Sequence, residues 1–158
     1  MSRTGQEQAN LDLVLRMFAE VLNPMDSGAV ERFIAPGYIQ HNQLAEPGRD
    51  GLKRFLDMIR EQTPKAVHDV KRAFVDGDHV TVHYHVRRWP GDLGWAVIDI
   101  FRLEDGMIAE HWDVMQDVTE GGPNPIGPGL TTLMRIPSAT SSLANTFIAM
   151  CSPAFAAA

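Results

Sequence analysis

Two aspartates and a histidine interrupt apolar, strand-like segments of the sequence. Asp99 lies in the apolar run at residues 96–101, and Asp113 follows His111 by two residues in "LEDGMIAEHWDVMQD". Alternate side chains of a strand share a face, so His111 and Asp113 are expected on one side. The Asp-Gly turn signal at 105–106 predicts that the two segments are antiparallel neighbours. If both acids face the concave side of that sheet, they enter the same apolar chamber.

A carboxylate in an apolar chamber can act as a general acid or base. Burial disfavours its charged form and raises its pKa, which suits proton transfer near neutral pH. Two carboxylates in unequal surroundings can also divide the acid and base roles. The alternative is that each acid faces solvent or pairs with an arginine, for which Arg87, Arg88 and Arg102 are available.

Three further histidines are candidates for binding or catalysis. His41, in the extended segment "YIQHNQ", could line the pocket opposite the sheet, or it could be a surface or hydrogen-bonded structural residue. His83 and His85 share one strand face, and with His111 and Asp113 they could bind a metal. Two histidines so spaced on a strand are more typical of a polar outer face, so we predict no metal site.

The elements that must position these residues change from helical to strand periodicity. Apolar stripes predict helices over residues 7–23 and 49–62 and a shorter one over 28–34, with 38–42 extended. Alternation then predicts four strands, over residues 67–75, 79–89, 95–103 and 107–116. Helices followed by an antiparallel meander predict an α+β fold, with the helices packed on one face of a curved sheet.

Composition limits the partners and the compartment. The net charge of −6 argues against nucleic acid and anionic membranes, which require a basic face. Cys151 is the single cysteine, so no disulfide framework is expected. We see no secretory signal and no stretch of roughly 20 apolar residues, and we expect a cytoplasmic protein. "GGPNPIGPG" divides a domain at 1–118 from a linker and tail at 119–158, in which 143–151 could be partly helical.

Three segments together resemble a known family. "YIQHN", "GLKRFL" and "VIDIFRLEDGMIAEHWDVMQ" are similar to the SnoaL-like polyketide cyclases of the nuclear-transport-factor-2-like superfamily, which includes ketosteroid isomerase and limonene epoxide hydrolase. The resemblance covers roughly residues 8–118. It implies a cone-shaped α+β barrel in which N-terminal helices pack on a curved, mostly antiparallel sheet around one pocket.

The resemblance also implies catalytic roles. Asp113 matches the acid on the last strand that removes a proton next to a carbonyl, without a cofactor. Asp99 matches a polar pocket position and would be an acid or orienting group, and His41 matches a pocket-lining polar residue. The residues predicted to contact a small to medium apolar or polyketide-like substrate are Tyr38, Asn42, Trp95, Phe101, His111 and Met115.

Three functions remain open at this point. The first is aldol-type cyclisation or isomerisation. The second is water activation against an epoxide, which is disfavoured because Val97 stands where related hydrolases carry an arginine two residues before the acid. The third is a non-catalytic ligand-binding module, since this superfamily has many such members. A homodimer through the outer face of the sheet is expected by resemblance.

Overall fold

The computed structural model describes residues 3–121 and 124, and their chain order runs from helices to a sheet. The helical elements are α1 (Gly5–Met17), a π-helical extension of it (Phe18–Leu22), a 3-10 helix (Ser27–Arg32) and α2 (Gly48–Gln62). The strands are β1 (Ile34–Gln40), β2 (Val67–Asp76), β3 (His79–Arg87), β4 (Trp95–Glu104) and β5 (Met107–Asp117).

The five strands form one open, mixed sheet in the order β1-β5-β4-β3-β2. The neighbours among β2 to β5 are antiparallel, whereas β1 runs parallel to β5. This arrangement lays β1 beside the strand that carries His111 and Asp113. The helices cover one face of the sheet, and the core between the two layers includes Phe18, Leu56 and Val82.

The predicted α+β architecture and the four predicted strands are confirmed. The segment before β1 differs, because the helix predicted over 28–34 is a 3-10 helix that ends at Arg32. Pro36 and Gly37, which follow the predicted helix in the sequence, lie inside β1. A proline is tolerated there because β1 is an edge strand, where a missing N–H need not break a ladder bond. The tail predicted beyond 118, including 143–151, lies outside the described residues except for 119–121 and 124.

A register shift in the β4–β5 pair decides which residues face the core. Arg102 pairs with Glu110, but Leu103 pairs with Ile108, so β5 carries one extra residue at this point. Ile108 is therefore fully buried, and Met107, which strict alternation would place on the same face as His111, is only half-buried. Beyond the shift the predicted alternation holds, and His111 and Asp113 share the inner face.

The outer face of the sheet exposes apolar side chains. Ile98 and Ile100 of β4 lie beside Val114 and Trp112 of β5, and the first three are all exposed. Such a patch is consistent with the predicted homodimer, which stays a prediction. Within residues 3–121 no helix is long and apolar enough to cross a membrane.

Candidate active site

A cavity of about 100 Å³ lies between the helices and the inner face of the sheet. Its walls are mostly apolar and come from α1, α2 and the strands. The polar side chains that reach it are Tyr38, Gln40, Asn42, His68, Tyr84, Asp99, His111 and Asp113. A mostly apolar cavity with a few convergent polar groups is the usual form of a small-molecule site.

Asp99 lies at the centre of this polar group, with 3% of its surface exposed. The Tyr84 hydroxyl donates a hydrogen bond to Asp99 Oδ2 at 3.0 Å. His111 Nε2 lies 3.5 Å from the other carboxyl oxygen, Oδ1. Burial raises the pKa of Asp99 above its ordinary value, although the contacts with His111 and Tyr84 oppose the shift. Asp99 is therefore a carboxyl group that retains a proton more readily than a solvated one.

Asp113 lies directly opposite Asp99 on the neighbouring strand, in different surroundings. It is half-buried, and the side-chain amide of Asn42 donates to its Oδ2. Asn42 is itself oriented, because its Oδ1 accepts a hydrogen bond from the Leu44 backbone N–H at 2.7 Å. Asp99, His111 and Asp113 each place one nitrogen or oxygen within 4.8 Å of the others.

Two tyrosine hydroxyls complete the polar lining. Burial, and then the negative charges of Asp99 and Asp113, raise the pKa of both Tyr38 and Tyr84 well above the ordinary tyrosine value. Both hydroxyls therefore stay protonated at neutral pH. That of Tyr84 donates to Asp99, and that of Tyr38 can donate to a ligand.

The same cluster is the place where a metal ion could be held among the described residues. Within the cluster His111 Nε2 faces Asp99 Oδ1 at 3.5 Å, and the Asn42 amide binds Asp113. His83 and His85 do not join the cluster. They lie on the outer face of β3, where His85 Nε2 is 2.7 Å from the Leu93 carbonyl oxygen.

The cavity brings together six of the nine residues predicted for the site: Asp99, Asp113, Tyr38, Asn42, Phe101 and His111. Their predicted roles stay predictions. Phe101 stacks on the His111 ring, with centroids 4.9 Å apart, and so fixes the plane of that imidazole.

His41, Trp95 and Met115 lie outside the cavity. His41 is exposed, with its Nε2 2.8 Å from Glu110 Oε1 and its ring stacked on Trp112. His41 therefore does not line this cavity. Trp95 donates to Asp117 instead of walling the pocket, and Met115 is 47% exposed because it lies beyond the cavity near the end of β5.

Sequence reasoning missed Gln40, His68 and Tyr84. Gln40 could have been found, because Tyr38, Gln40 and Asn42 alternate in "YIQHN", and the same alternation places His41 on the opposite side. Tyr84 alternates with three valines along β3, so the pattern does not distinguish it from an apolar core residue. His68 gave no distinguishing signal in its strand.

His68 predicts an acid-sensitive fold. It is partly buried with Nδ1 out of contact with water and without a hydrogen-bond partner, and burial lowers its pKa to about 4. The unfolded chain, in which a histidine titrates near 6.5, binds the proton first. The contribution of neutral His68 to the free energy of unfolding is therefore fully present above about pH 6.5 and is lost as the pH falls towards 4.

The loss should reach roughly 1–3 kcal/mol, as measured by urea unfolding between pH 7 and 4. Asp99, with its raised pKa, contributes in the opposite direction over part of this range, so the comparison must be with His68→Gln. That variant should lose less stability on acidification than the wild type. A matched change at exposed His79, His79→Gln, should leave the wild-type pH dependence in place, and equal pH slopes for all three proteins would refute the assignment.

Gly51, in the first turn of α2, allows the loop that carries Asn42 to pack closely against the helix. A Cβ at this buried position would lie 2.2 Å from the Glu46 carbonyl oxygen, so Gly51→Ala must displace the loop backbone. We expect a loss of about 1–3 kcal/mol in thermal unfolding. Gly37→Ala is the control, since its Cβ would meet nothing within 4 Å. Equal melting temperatures for the two variants would contradict this packing.

Comparison with known proteins agrees with the geometry. The family profile of the SnoaL-like domain matches residues 14–111, and no curated protein matches the chain. TsrD from Streptomyces laurentii has a similar structure, with a TM-score of 0.58 and 22% identity over 68% of this chain and 89% of that one.

Two further solved structures have the same fold. A proposed SnoaL-like polyketide cyclase from Jannaschia sp. CCS1 has a TM-score of 0.60 and 22% identity, covering 73% of this chain and 90% of that one. An NTF2-like protein of unknown function from Mesorhizobium loti has a TM-score of 0.61 and 19% identity, covering 73% and 97%. At these identities the structural matches support the fold alone.

Proposed function

This chain belongs to the SnoaL-like domain family, and from that premise we propose a cofactor-independent enzyme that removes a proton next to a carbonyl group. The reaction would be an aldol-type cyclisation or an isomerisation. The observation that carries the proposal is the pair of carboxylates, Asp99 and Asp113, which face one apolar cavity in unequal surroundings.

Asp113 is the proposed base. The Asn42 amide binds its Oδ2 and leaves Oδ1 for the substrate. Oδ1 takes the proton from the carbon next to the carbonyl, and the electrons of that C–H bond form the enolate. Asp99, which is buried and retains its proton more readily, is the proposed general acid. The enolate then attacks a second carbonyl in a cyclisation, or is reprotonated at another carbon in an isomerisation.

The lining selects the charge of the substrate. Of the described residues that line the cavity, none is lysine or arginine, and two are aspartates. An anionic substrate would meet carboxylates without a compensating cation, so we propose a neutral carbonyl compound. The volume of about 100 Å³ favours a small molecule, and a larger one would have to displace the loop at 41–47 or α2.

Solvent-deuterium exchange tests the proposal without knowledge of the product. Neutral ketones and methyl esters of graded size are incubated with the protein in D₂O, and deuterium uptake next to the carbonyl is followed by NMR. Exchange above the buffer rate for at least one compound is expected. Binding of the panel without any exchange would refute proton abstraction and leave a ligand-binding module.

A further inference from the structure

Gln40 is the last residue of β1, and its side chain contacts the imidazole of His111 on the neighbouring strand β5. Its Oε1 accepts a hydrogen bond from the Asn42 backbone N–H at 3.0 Å and lies 2.9 Å from His111 Nδ1. A backbone N–H can only donate. The amide of Gln40 must therefore present its oxygen, and not its NH₂ group, to both neighbours.

This constraint fixes the proton on His111. Because Gln40 Oε1 is an acceptor, His111 Nδ1 must carry a hydrogen and donate it. The opposite ring orientation would set carbon atoms against Gln40 and Asp99, and stacking on Phe101 holds the ring plane. In the neutral ring Nε2 then carries the lone pair, and it is the atom that faces Asp99 Oδ1 at 3.5 Å.

A lone pair facing a carboxylate oxygen in a buried site requires one proton between them. Asp99 Oδ1 and His111 Nε2 are both buried, and among the described residues neither has a hydrogen-bond partner. Their separation of 3.5 Å is long for a hydrogen bond, and catalytic contacts commonly shorten when substrate binds. Asp99 Oδ2 is already occupied by the Tyr84 hydroxyl, so the shared proton belongs on the Oδ1 side.

We infer that Gln40 is a positioning residue that locks His111 as the Nδ1–H tautomer, so that Asp99 and His111 Nε2 share one proton for delivery to the substrate. During turnover that proton passes to the enolate oxygen, or to the oxygen of the carbonyl under attack. In a cyclisation the proton that Asp113 removed later restores the pair through the product hydroxyl or water. In an isomerisation Asp113 returns its proton to the other carbon, and the enol hydroxyl gives its proton back to the pair. The catalytic use of the pair rests on the proposed function, whereas the tautomer does not.

Nitrogen-15 NMR of labelled protein at neutral pH tests the tautomer without any substrate. The His111 signals are assigned by their loss in His111→Gln. We expect a protonated Nδ1 in the wild type, and an unprotonated Nδ1 would overturn the inference. Gln40→Leu removes the acceptor and should move the proton to Nε2, whereas Gln40→Glu retains an acceptor and should keep the wild-type pattern. An unchanged pattern in Gln40→Leu would refute the lock.

Gln43→Leu is the matched control, because Gln43 is exposed in the same loop and does not line the cavity. It should keep the wild-type nitrogen pattern. Once a substrate that takes up deuterium has been identified, Gln40→Leu should slow its exchange roughly 10- to 100-fold, which is a part of the contribution of a general acid. Gln40→Glu should restore most of the wild-type rate. A Gln40→Leu rate equal to wild type, with the tautomer shifted as expected, would refute the catalytic use alone.

Discussion

Asp113→Asn should reduce deuterium exchange by roughly 10³-fold, within the range by which positioned acids and bases accelerate proton transfer. Asparagine has nearly the same shape as aspartate but cannot accept a proton from carbon. Its side-chain oxygen can still accept the hydrogen bond from the Asn42 amide, so the loop and the cavity should keep their arrangement. The loss should therefore fall on the rate and leave binding of the carbonyl compound close to that of the wild type.

A variant with the same change of charge controls for electrostatics. Asp76 is exposed in the β2–β3 hairpin, next to Gly77, and Asp76→Asn replaces one turn-forming residue with another. Its exchange rate should equal that of the wild type. Undiminished exchange in Asp113→Asn would reject Asp113 as the base, while equal losses in the two variants would attribute the effect to net charge.

Strand alternation and turn signals predicted much of this molecule. The Asp-Gly turns and the period of two placed β2 to β5 within one or two residues of their observed bounds. The same alternation predicted that Asp99 and Asp113 would enter one chamber if both faced the concave side, and the register pairs them directly. The parallel pairing of β1 with β5 was not predicted, because a strand's own sequence does not encode a partner that lies far along the chain.

Residues beside that pairing account for two of the differences between the predicted and the observed site. His41 was placed in the pocket by resemblance, although the alternation through Tyr38 and Gln40 turns it outward to Glu110. Gln40 was missed because its proposed role depends on contacts with Asn42 and His111, which only the β1–β5 register brings together. Polar contacts of this kind depend on small differences in distance, which residue patterns do not determine.

Asp99→Asn should separate stability from activity. Burial raises the pKa of Asp99, so the wild type gains stability from the protonated carboxyl at low pH and loses it as the pH rises through the folded-state value. Asparagine carries no charge at any pH. The variant should therefore be more stable than the wild type at alkaline pH, by about 1–2 kcal/mol, and the difference should shrink towards acidic pH.

The packing permits this substitution because both polar contacts of Asp99 can be kept. The side-chain oxygen of the introduced asparagine accepts from the Tyr84 hydroxyl, and its amide donates to His111 Nε2, provided that Gln40 holds the Nδ1–H tautomer. That amide cannot release a proton to the substrate, so exchange should fall roughly 10²- to 10⁴-fold. Urea unfolding from pH 5 to 9, together with the exchange assay, measures both effects. A variant less stable than the wild type at pH 9 would show that Asp99 is held as a stabilising ion pair with His111, and unaltered exchange would remove it from the reaction.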